Sequence, residues 1–272
     1  MKTLIKKRAE LQQASRWDID FHLPAEGITQ FPKELLKRVD QVADVAKNKR
    51  DPGKSSESTF QYLDISSVDV ISGSILTPQE VDCVDAPSRA RKVVRAFDLL
   101  ISTCRPTRGA IAVVPPKFHD QIASTGFSII RAKRGVNPFY LHFALRLPSS
   151  LEQFRKWSTG SSYPAILDED VAKTLIPVPS PEEQDEIAKL IVQALQVREA
   201  TVHSANDVWN KTLDAITSRL SGMPISAHID EEIDATPIPH NISEIEALLQ
   251  SLPPITCDRT TARHTQVEMS DI

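Results

Sequence analysis

Glycine is scarce and never clustered in this chain of 272 residues: its eight glycines, at positions 27, 53, 73, 109, 126, 135, 160 and 222, all stand alone. Neither GxGxxG nor GxxxxGK[ST] can be assembled from them, which excludes an encoded dinucleotide turn or phosphate loop. GxSxG, HExxH and HxxxH are missing too, so no hydrolase elbow or zinc-protease helix is written here. The seven histidines are dispersed and read as packing or surface groups, giving no metal site. Cysteine is limited to Cys83, Cys104 and Cys257, with no CxxC. That pattern excludes a disulfide framework and a structural zinc site, and fits a reducing cytoplasmic setting. Lys2, Lys6, Lys7 and Arg8 are followed by no apolar stretch of signal-peptide type, and no apolar run approaches the ~20 residues of a membrane span. A soluble, cytoplasmic chain with no membrane partner is expected.

What is present is an uneven distribution of charge. The formal net charge of −4 averages two opposed regions. Between Ala86 and Arg134 stand Arg89, Arg91, Lys92, Arg95, Arg105, Arg108, Lys117, Arg131, Lys133 and Arg134, opposed only by Asp98 and Asp120. From Met223 onward nine carboxylates face Arg259 and Arg263. A basic middle and an acidic tail point to a polyanionic partner for the former. Hydrophobic residues at 40% suffice for a packed core, and the length allows one substantial domain with appendages.

Along the chain, residues 1–30 read as an arm, with Pro24, Gly27 and no sustained period. Pro32 followed by Leu35, Val39, Val42 and Ala46 predicts a helix to about Lys47. Asn48 to Ser58 is a loop by composition. Short β-type runs follow at Tyr62–Ile65, Val93–Val94, Leu99–Ser102, Ala110–Val114 and Phe127–Arg131. Asn137-Pro138 reads as N-cap and first turn of a helix carrying Phe139, Leu141, Phe143, Ala144 and Leu147. A second helix runs through Leu151, Phe154 and Trp157, and Ser158 to Pro164 is a loop. The NPFY at Asn137–Tyr140 resembles the [ND]PP[YF] signature of DNA amino-methyltransferases, but the second proline is Phe139 and no glycine-rich turn precedes it.

The strongest helix signal opens at Ser180. Ser180 with Glu183 forms a capping box, Pro181 suits the first helical position, and Glu182, Glu183, Asp185 and Glu186 favour the positive end of the dipole. Ile187, Ile191, Leu195, Val202, Ala205, Trp209, Ile216 and Leu220 form a recurrent apolar stripe, closed by Gly222 and Pro224. Forty residues give a rod of ~60 Å, so a partner outside its own small domain is expected to cover part of it. Past Gly222 the tail is Pro-rich, acidic and aperiodic, to be read either as flexible or as carrying a short docking helix at Ile242–Leu252.

Three stretches taken in order resemble the specificity (S) subunits of type I restriction-modification systems. The first is Tyr62–Ser66 (YLDIS) followed by Gly73–Ile75 (GSI), and the second is Phe97–Val114 (FDLLISTCRPTRGAIAVV). The third is the succession Val136–Leu141 (VNPFYL), Thr159–Ile166 (TGSSYPAI) and Leu175–Gln184 (LIPVPSPEEQ) with Ile187, similar to that family's P-x-Y-L, G-S-x-x-x-x-I and I-P-x-P-x-x-E-Q-x-x-I motifs. Arg16–Phe21 (RWDIDF) fits the lead-in seen in many such subunits. The resemblance runs over about residues 16 to 221. It implies an α/β (α+β) fold in which one target-recognition domain, with a small irregular β-sheet and flanking helices, is followed by one long coiled-coil-type helix. The expected layout is an arm (1–30), a recognition domain (31–180), a dimerisation or spacer helix (181–222) and an acidic tail (223–272).

A full S subunit carries two recognition domains and two long helices, whereas one of each is present here. The resemblance therefore implies a half-length, non-catalytic subunit that pairs with a second copy or another specificity chain. Double-stranded DNA, a modification methyltransferase that binds S-adenosylmethionine, and a restriction subunit in a phage-defence complex are the implied partners. No cofactor is expected in this chain. Arg89, Arg91, Lys92 and Arg95, with Lys133 and Arg134, are candidate phosphate contacts, alternation placing Arg89 and Arg91 on one face; a charged edge strand that resists aggregation accounts for the same residues. Arg105 and Arg108, flanking Pro106 between two strands, fit either bidentate guanine reading or ordinary turn chemistry. Ser158, Thr159, Gly160, Ser161, Ser162 and Tyr163 offer hydroxyls, amides and a ring to phosphate, sugar or base. Ile187, Ile191, Leu195, Val202, Trp209, Ile216 and Leu220 are the expected pairing face. A DNA-independent adaptor, assembling a complex through the long helix, remains the rival reading.

Overall fold

The computed structural model describes residues 4–222 other than 15, 56, 77 and 161, with the main chain only at 13 and 199. Ser161, Cys257, the acidic tail and the segment Ile242–Leu252 lie outside the described residues. The chain divides into two compact units, Met1–Asn206 and Asp207–Ile272.

The first unit begins with α1 (Arg8–Ala14) and α2 (Ile19–His22), then β1 (Leu36–Arg38), the four-residue α3 (Val39–Val42) and β2 (Ala43–Val45). Next come β3 (Thr59–Leu63), β4 (Gln79–Asp82), β5 (Ala90–Val93), β6 (Leu99–Ser102), β7 (Ile111–Val113), β8 (Ile122–Ser124) and β9 (Phe127–Ala132). The helices α4 (Pro138–Arg146), α5 (Pro148–Trp157) and α6 (Asp168–Lys173), strand β10 (Leu175–Pro177) and α7 (Pro181–Leu220) complete the order. The strands form three sheets: β2-β9-β6-β7, β4-β3-β8-β5 and the pair β1-β10. Within them β3–β8 is a parallel pairing, and the others are antiparallel.

Alternation along β6 and β9 explains the layering. Leu99, Ile101 and Ile130 face the helices, packing with Leu141, Leu145 and Phe154. Leu100, Phe127 and Ile129 point the other way, onto Leu63, Val94, Ala123 and Phe118 around the second sheet. The β2-β9-β6-β7 sheet is thus covered on both faces, which is why β6 reads as the uninterrupted run LLIS. Each fully buried Leu or Ile contributes roughly 1.5–3 kcal/mol. Beyond the second sheet, Phe60, Tyr62, Cys83, Ala90 and Ile122 form a smaller cluster.

The segment expected to be one helix from Pro32 to Lys47 is a correction: it contains β1, α3 and β2. Its apolar positions do turn inward, Val39 and Val42 being buried. Long-range pairing decides the conformation, however. β1 pairs with β10, β2 pairs with β9, and the Val39 amide donates to Thr174 O at 2.9 Å. The N-terminal segment also differs from a free arm. Lys156, 6% exposed, donates to the carbonyls of Asp20 (2.7 Å), Leu23 (2.8 Å) and Pro24 (3.2 Å), fastening that segment to α5. The strands β4 and β8, QEVD and IAS, have too little β character to be read from composition.

Helix α7 starts where its capping box predicts. Glu183 N donates to Ser180 Oγ and Ser180 N to Glu183 Oε2, both at 3.3 Å. Gln184, 2% exposed, fixes the helix to the domain: its Nε2 donates to Pro179 O (2.9 Å) and its Oε1 accepts from Asn137 N (3.0 Å). Asn137 in turn caps α4, accepting from Phe139 N and Tyr140 N, and donates through Nδ2 to Asp185 at 2.7 Å. Tyr140 is buried and donates to Pro177 O at 2.7 Å, with burial and then Glu183 pushing its phenol up to about 12. The NPFY residues are therefore structural. The first turns of α7 pack on their own domain, since Ile187 joins the helix-side core and Val192 and Leu195 line an apolar cavity of about 310 Å³ with Phe97, Phe139 and Pro115. The expectation that the whole stripe awaits an outside partner is corrected to that extent.

Gly73 occupies φ +73°, and a Cβ there would lie 2.2 Å from His142 Nε2 and 2.4 Å from Ile111 O. Gly73→Ala should therefore cost about 3 kcal/mol or more through left-handed strain plus overpacking, measurable by denaturant unfolding. His142 is neutral in this site. Burial, then the Arg146 charge, hold its pKa down at about 4 although Nε2 donates to Ile111 O at 3.0 Å. The unfolded chain takes up this proton near pH 6.5, so the stabilisation is complete above that value and is lost as pH falls toward 4. Unfolding free energies across that window should drop by roughly 3 kcal/mol more in the wild type than in His142→Gln.

Candidate functional site

A cleft of about 530 Å³ is built where three loops meet, lined among others by Ser66, Val70, Cys104, Arg105, Arg108 and Tyr163. The loop after β6 is fixed first. Ser102 Oγ donates to Cys104 O (2.7 Å), Thr103 N to Gly126 O (2.9 Å), and Arg105 at φ +49° turns the chain into a single 3-10 turn, Pro106–Arg108. The loop after α5 is stitched to it through Arg105 N to Pro164 O (2.7 Å) and Ile166 N to Thr103 O (2.9 Å). This stitching brings together residues 59 and 63 positions apart in sequence. The Arg105 guanidinium carbon lies 4.9 Å from the centroid of the Tyr163 ring, which is itself 70% exposed. Such a stack contributes about 0.5–1 kcal/mol and holds a guanidinium flat without consuming its donors.

The third wall is the segment after β3. Asp64 Oδ1 accepts from Ser66 Oγ (2.8 Å) and Ser67 N (3.0 Å). Asp69 organises the next turn, accepting from Ile71 N, Ser72 N, Ser72 Oγ and the Arg198 guanidinium. Burial acts against its charge, but the Ser72 hydroxyl, the two amides and Arg198 together hold its carboxyl at about 2. Arg146, at the end of α4, was not singled out from the sequence, yet it joins two walls. It donates to Gly109 O (2.6 Å) and Ile111 O (3.4 Å) on one side and to Val70 O (2.9 Å) and Ile71 O (2.7 Å) on the other.

The basic band separates into two groups. Arg89, Arg95, Arg108, Lys117 and Arg134 are exposed and make no ion pair among the described residues. The others are engaged within the protein, Arg105 through its stack on Tyr163. Lys92 donates to Phe127 O at 2.6 Å from a largely buried position, which lowers its pKa. Arg91 donates to Ala90 O (2.7 Å) and pairs with Asp51, and Lys133 donates to Asp40 O (2.6 Å). Arg131 grips the buried Asp98 through two 2.8 Å bonds. Arg89 sits in the turn before β5, and a register shift between Ala90 and Lys92 breaks the alternation expected to align it with Arg91.

In the loop after α5, Ser158 differs from its expected role. Its hydroxyl donates to Phe154 O at 2.7 Å, closing the helix end. Thr159 exchanges backbone bonds with Ala165, while Gly160 and Ser162 are exposed beside Tyr163. On α7, Ile187, Ile191 and Leu195 are half-buried, whereas Val202, Trp209, Ile216 and Leu220 are exposed. Among the described residues no group of His, Cys, Asp and Glu side chains is placed to hold a metal ion. No described helix is long and apolar enough to cross a membrane.

The fold is one of small stacked sheets whose loops meet in the cleft and which continue into one long helix. No family model matches the chain. Among curated proteins it is similar to the type I restriction enzyme HindI specificity subunit of Haemophilus influenzae, with 26% identity over 159 residues, covering 57% of this chain and 34% of that protein. Among solved structures it is similar to the HsdS subunit from Thermoanaerobacter tengcongensis, with 36% identity and a TM-score of 0.52 over 73% of this chain and 50% of that one. A chain from a structural study of complex assembly and conformational transition in a type I R-M system shows the same identity and coverage, with a TM-score of 0.55. By sequence and fold the chain is similar to specificity subunits of type I restriction-modification systems. It spans about half the length of those solved relatives and about a third of the curated one.

Replacing Arg146 with Ala should cost about 2–3 kcal/mol by leaving its carbonyl partners unmatched. Amide exchange should rise most at Ile71, Ser72 and Gly109, while the α7 junction at Gln184 keeps its protection.

Proposed function

We propose that this chain is a non-catalytic DNA-reading subunit that directs a partner adenine-N6 methyltransferase, and a restriction subunit where one is present, to a bipartite target. The observation that carries this reading is the cleft in which Arg105 lies stacked on exposed Tyr163 beside Arg108. Two guanidinium groups that make no ion pair among the described residues, on a clamped loop, suit the O6 and N7 acceptors of guanine in the major groove, at ~1–3 kcal/mol of discrimination per pair. Arg89, Arg95 and Arg134 supply phosphate contacts, which give affinity without sequence information. Gly160, Ser162 and Tyr163 border the same groove. S-adenosylmethionine belongs to the partner that transfers the methyl group.

One recognition domain reads half of such a target. The exposed Val202, Trp209, Ile216 and Leu220 supply the face through which α7 pairs with a second copy or another specificity chain, holding two readers at a fixed separation. Two-fold pairing of identical chains makes the target an interrupted palindrome. The same exposed apolar positions favour the adaptor reading, in which the helix assembles proteins and no DNA is bound.

Mapping N6-methyladenine across the genome with and without this gene should reveal one interrupted motif that disappears with the gene. A non-palindromic motif in cells carrying this chain as their sole specificity protein would sink the self-pairing. For DNA binding by the chain with its methyltransferase, the triple change of Arg89, Arg95 and Arg134 to Ala should flatten the plot of log affinity against log salt by about 2–3 units. Binding that ignores salt and these substitutions would leave the adaptor reading standing.

A further inference from the structure

We propose that Val70 and Ile71 form an apolar reading tip that packs on a thymine methyl group in the major groove, next to the base pair met by Arg105 and Arg108. This inference rests on the DNA-reading function proposed above and adds a specificity determinant to it. The two side chains are 46% and 73% exposed. Single exposed apolar residues are ordinary, but two adjacent β-branched ones at a loop apex are not needed for a turn.

The loop beneath them is held through its main-chain carbonyls and amides. Arg146 holds the carbonyls of both residues, Asp69 holds the amides of Ile71 and Ser72, Asp69 N donates to Ser74 O at 2.9 Å, and Gly73 N donates to Asp69 O at 2.7 Å. Loop tips are normally among the more mobile parts of a domain. An apolar tip held this firmly loses little further freedom on contact, which is the economy of a preorganised reader. Its place decides the occupant. Val70 lines the same cleft as Arg105, Arg108 and Tyr163. Arg146 spans from this loop to Gly109, the residue next to Arg108, so tip and arginines belong to one bonded surface. Beside donors suited to guanine, the major-groove feature that an aliphatic group can recognise is the C5 methyl of thymine.

The test uses the full chain with its methyltransferase and the target recovered from methylation mapping, with each thymine replaced in turn by deoxyuridine. Wild type should lose roughly fourfold in affinity at one position, the factor produced by burying one methyl group. The Val70→Ala, Ile71→Ala double variant should show that loss already on thymine DNA and no further loss on the deoxyuridine version. Its salt slope should be unchanged, because an apolar contact releases no counterions. Both side chains are exposed and the clamps address main-chain atoms, so the variant should unfold within a few degrees of wild type.

If the variant matches wild type on every DNA while Arg108→Ala still weakens binding, the tip does not touch bases and this inference alone falls. Lost co-purification of the methyltransferase with unaltered DNA affinity would assign the tip to that protein and overturn it equally. No DNA binding by the wild-type complex would remove the DNA-reading function and this inference together.

Discussion

A sheet buried on both faces sets the terms for the rest of this domain. The strands β2-β9-β6-β7 have helices on one side and a second sheet on the other, so polar groups along their rims have little access to water. The chain answers with long cationic side chains that reach inward and end on carbonyls or, for Arg131, on a buried carboxylate. Lys92 meets Phe127 O, Arg146 meets Gly109 O and Ile111 O, and Arg131 meets the buried Asp98. Lys156 repeats the device at the N-terminal segment. Each such bond satisfies a group whose desolvation would otherwise cost about 1–3 kcal/mol.

That use of cations changes the meaning of the basic band. Charge counting along Ala86–Arg134 treats every Lys and Arg as free, yet Lys92 and Arg131 have their charge directed into the protein, and Lys133 is engaged at the surface by Asp40 O and Asp44. What is left for a polyanion among the described residues is a smaller and better-defined set, Arg89, Arg95, Arg108, Lys117 and Arg134 with the stacked Arg105. A long aliphatic stem lets one residue type serve either role, and only burial separates them.

The parts of the fold legible in the sequence are those fixed by local chemistry. The caps at Ser180 and Asn137, the run LLIS and the bounds of α7 depend on neighbours within a few residues, and they are found where the sequence places them. Where pairing is long-range, pattern misleads. Leu35, Val39, Val42 and Ala46 have helical spacing, and Val39, Val42 and Ala46 pack in the core, but their conformation is dictated by β9 and β10, 85 or more residues away. The strands β4 and β8 have weak composition and exist because β3 and β5 offer edges. At the cleft, Arg105, Arg108 and Tyr163 were visible singly, while their meeting depends on loop-to-loop bonds that no spacing encodes. Arg146 gave no signal of its own, and Gly73, seen within a motif, is explained only by its contact with His142 and Ile111.

The clamps on these loops have one more property. Arg146 bonds to the main-chain oxygens of Val70, Ile71, Gly109 and Ile111, and Asp69 to the main-chain nitrogens of Ile71 and Ser72. Every amino acid supplies the oxygen, and all but proline supply the nitrogen. Side chains at positions 70, 71 and 108 are therefore free to be exchanged without loosening the frame that presents them. A scaffold of this kind separates its mutational load into two accounts: the buried clips tolerate almost nothing, and the presented surface can diversify quickly, so new sequence preferences can arise by drift at a few loop positions while the domain keeps its stability.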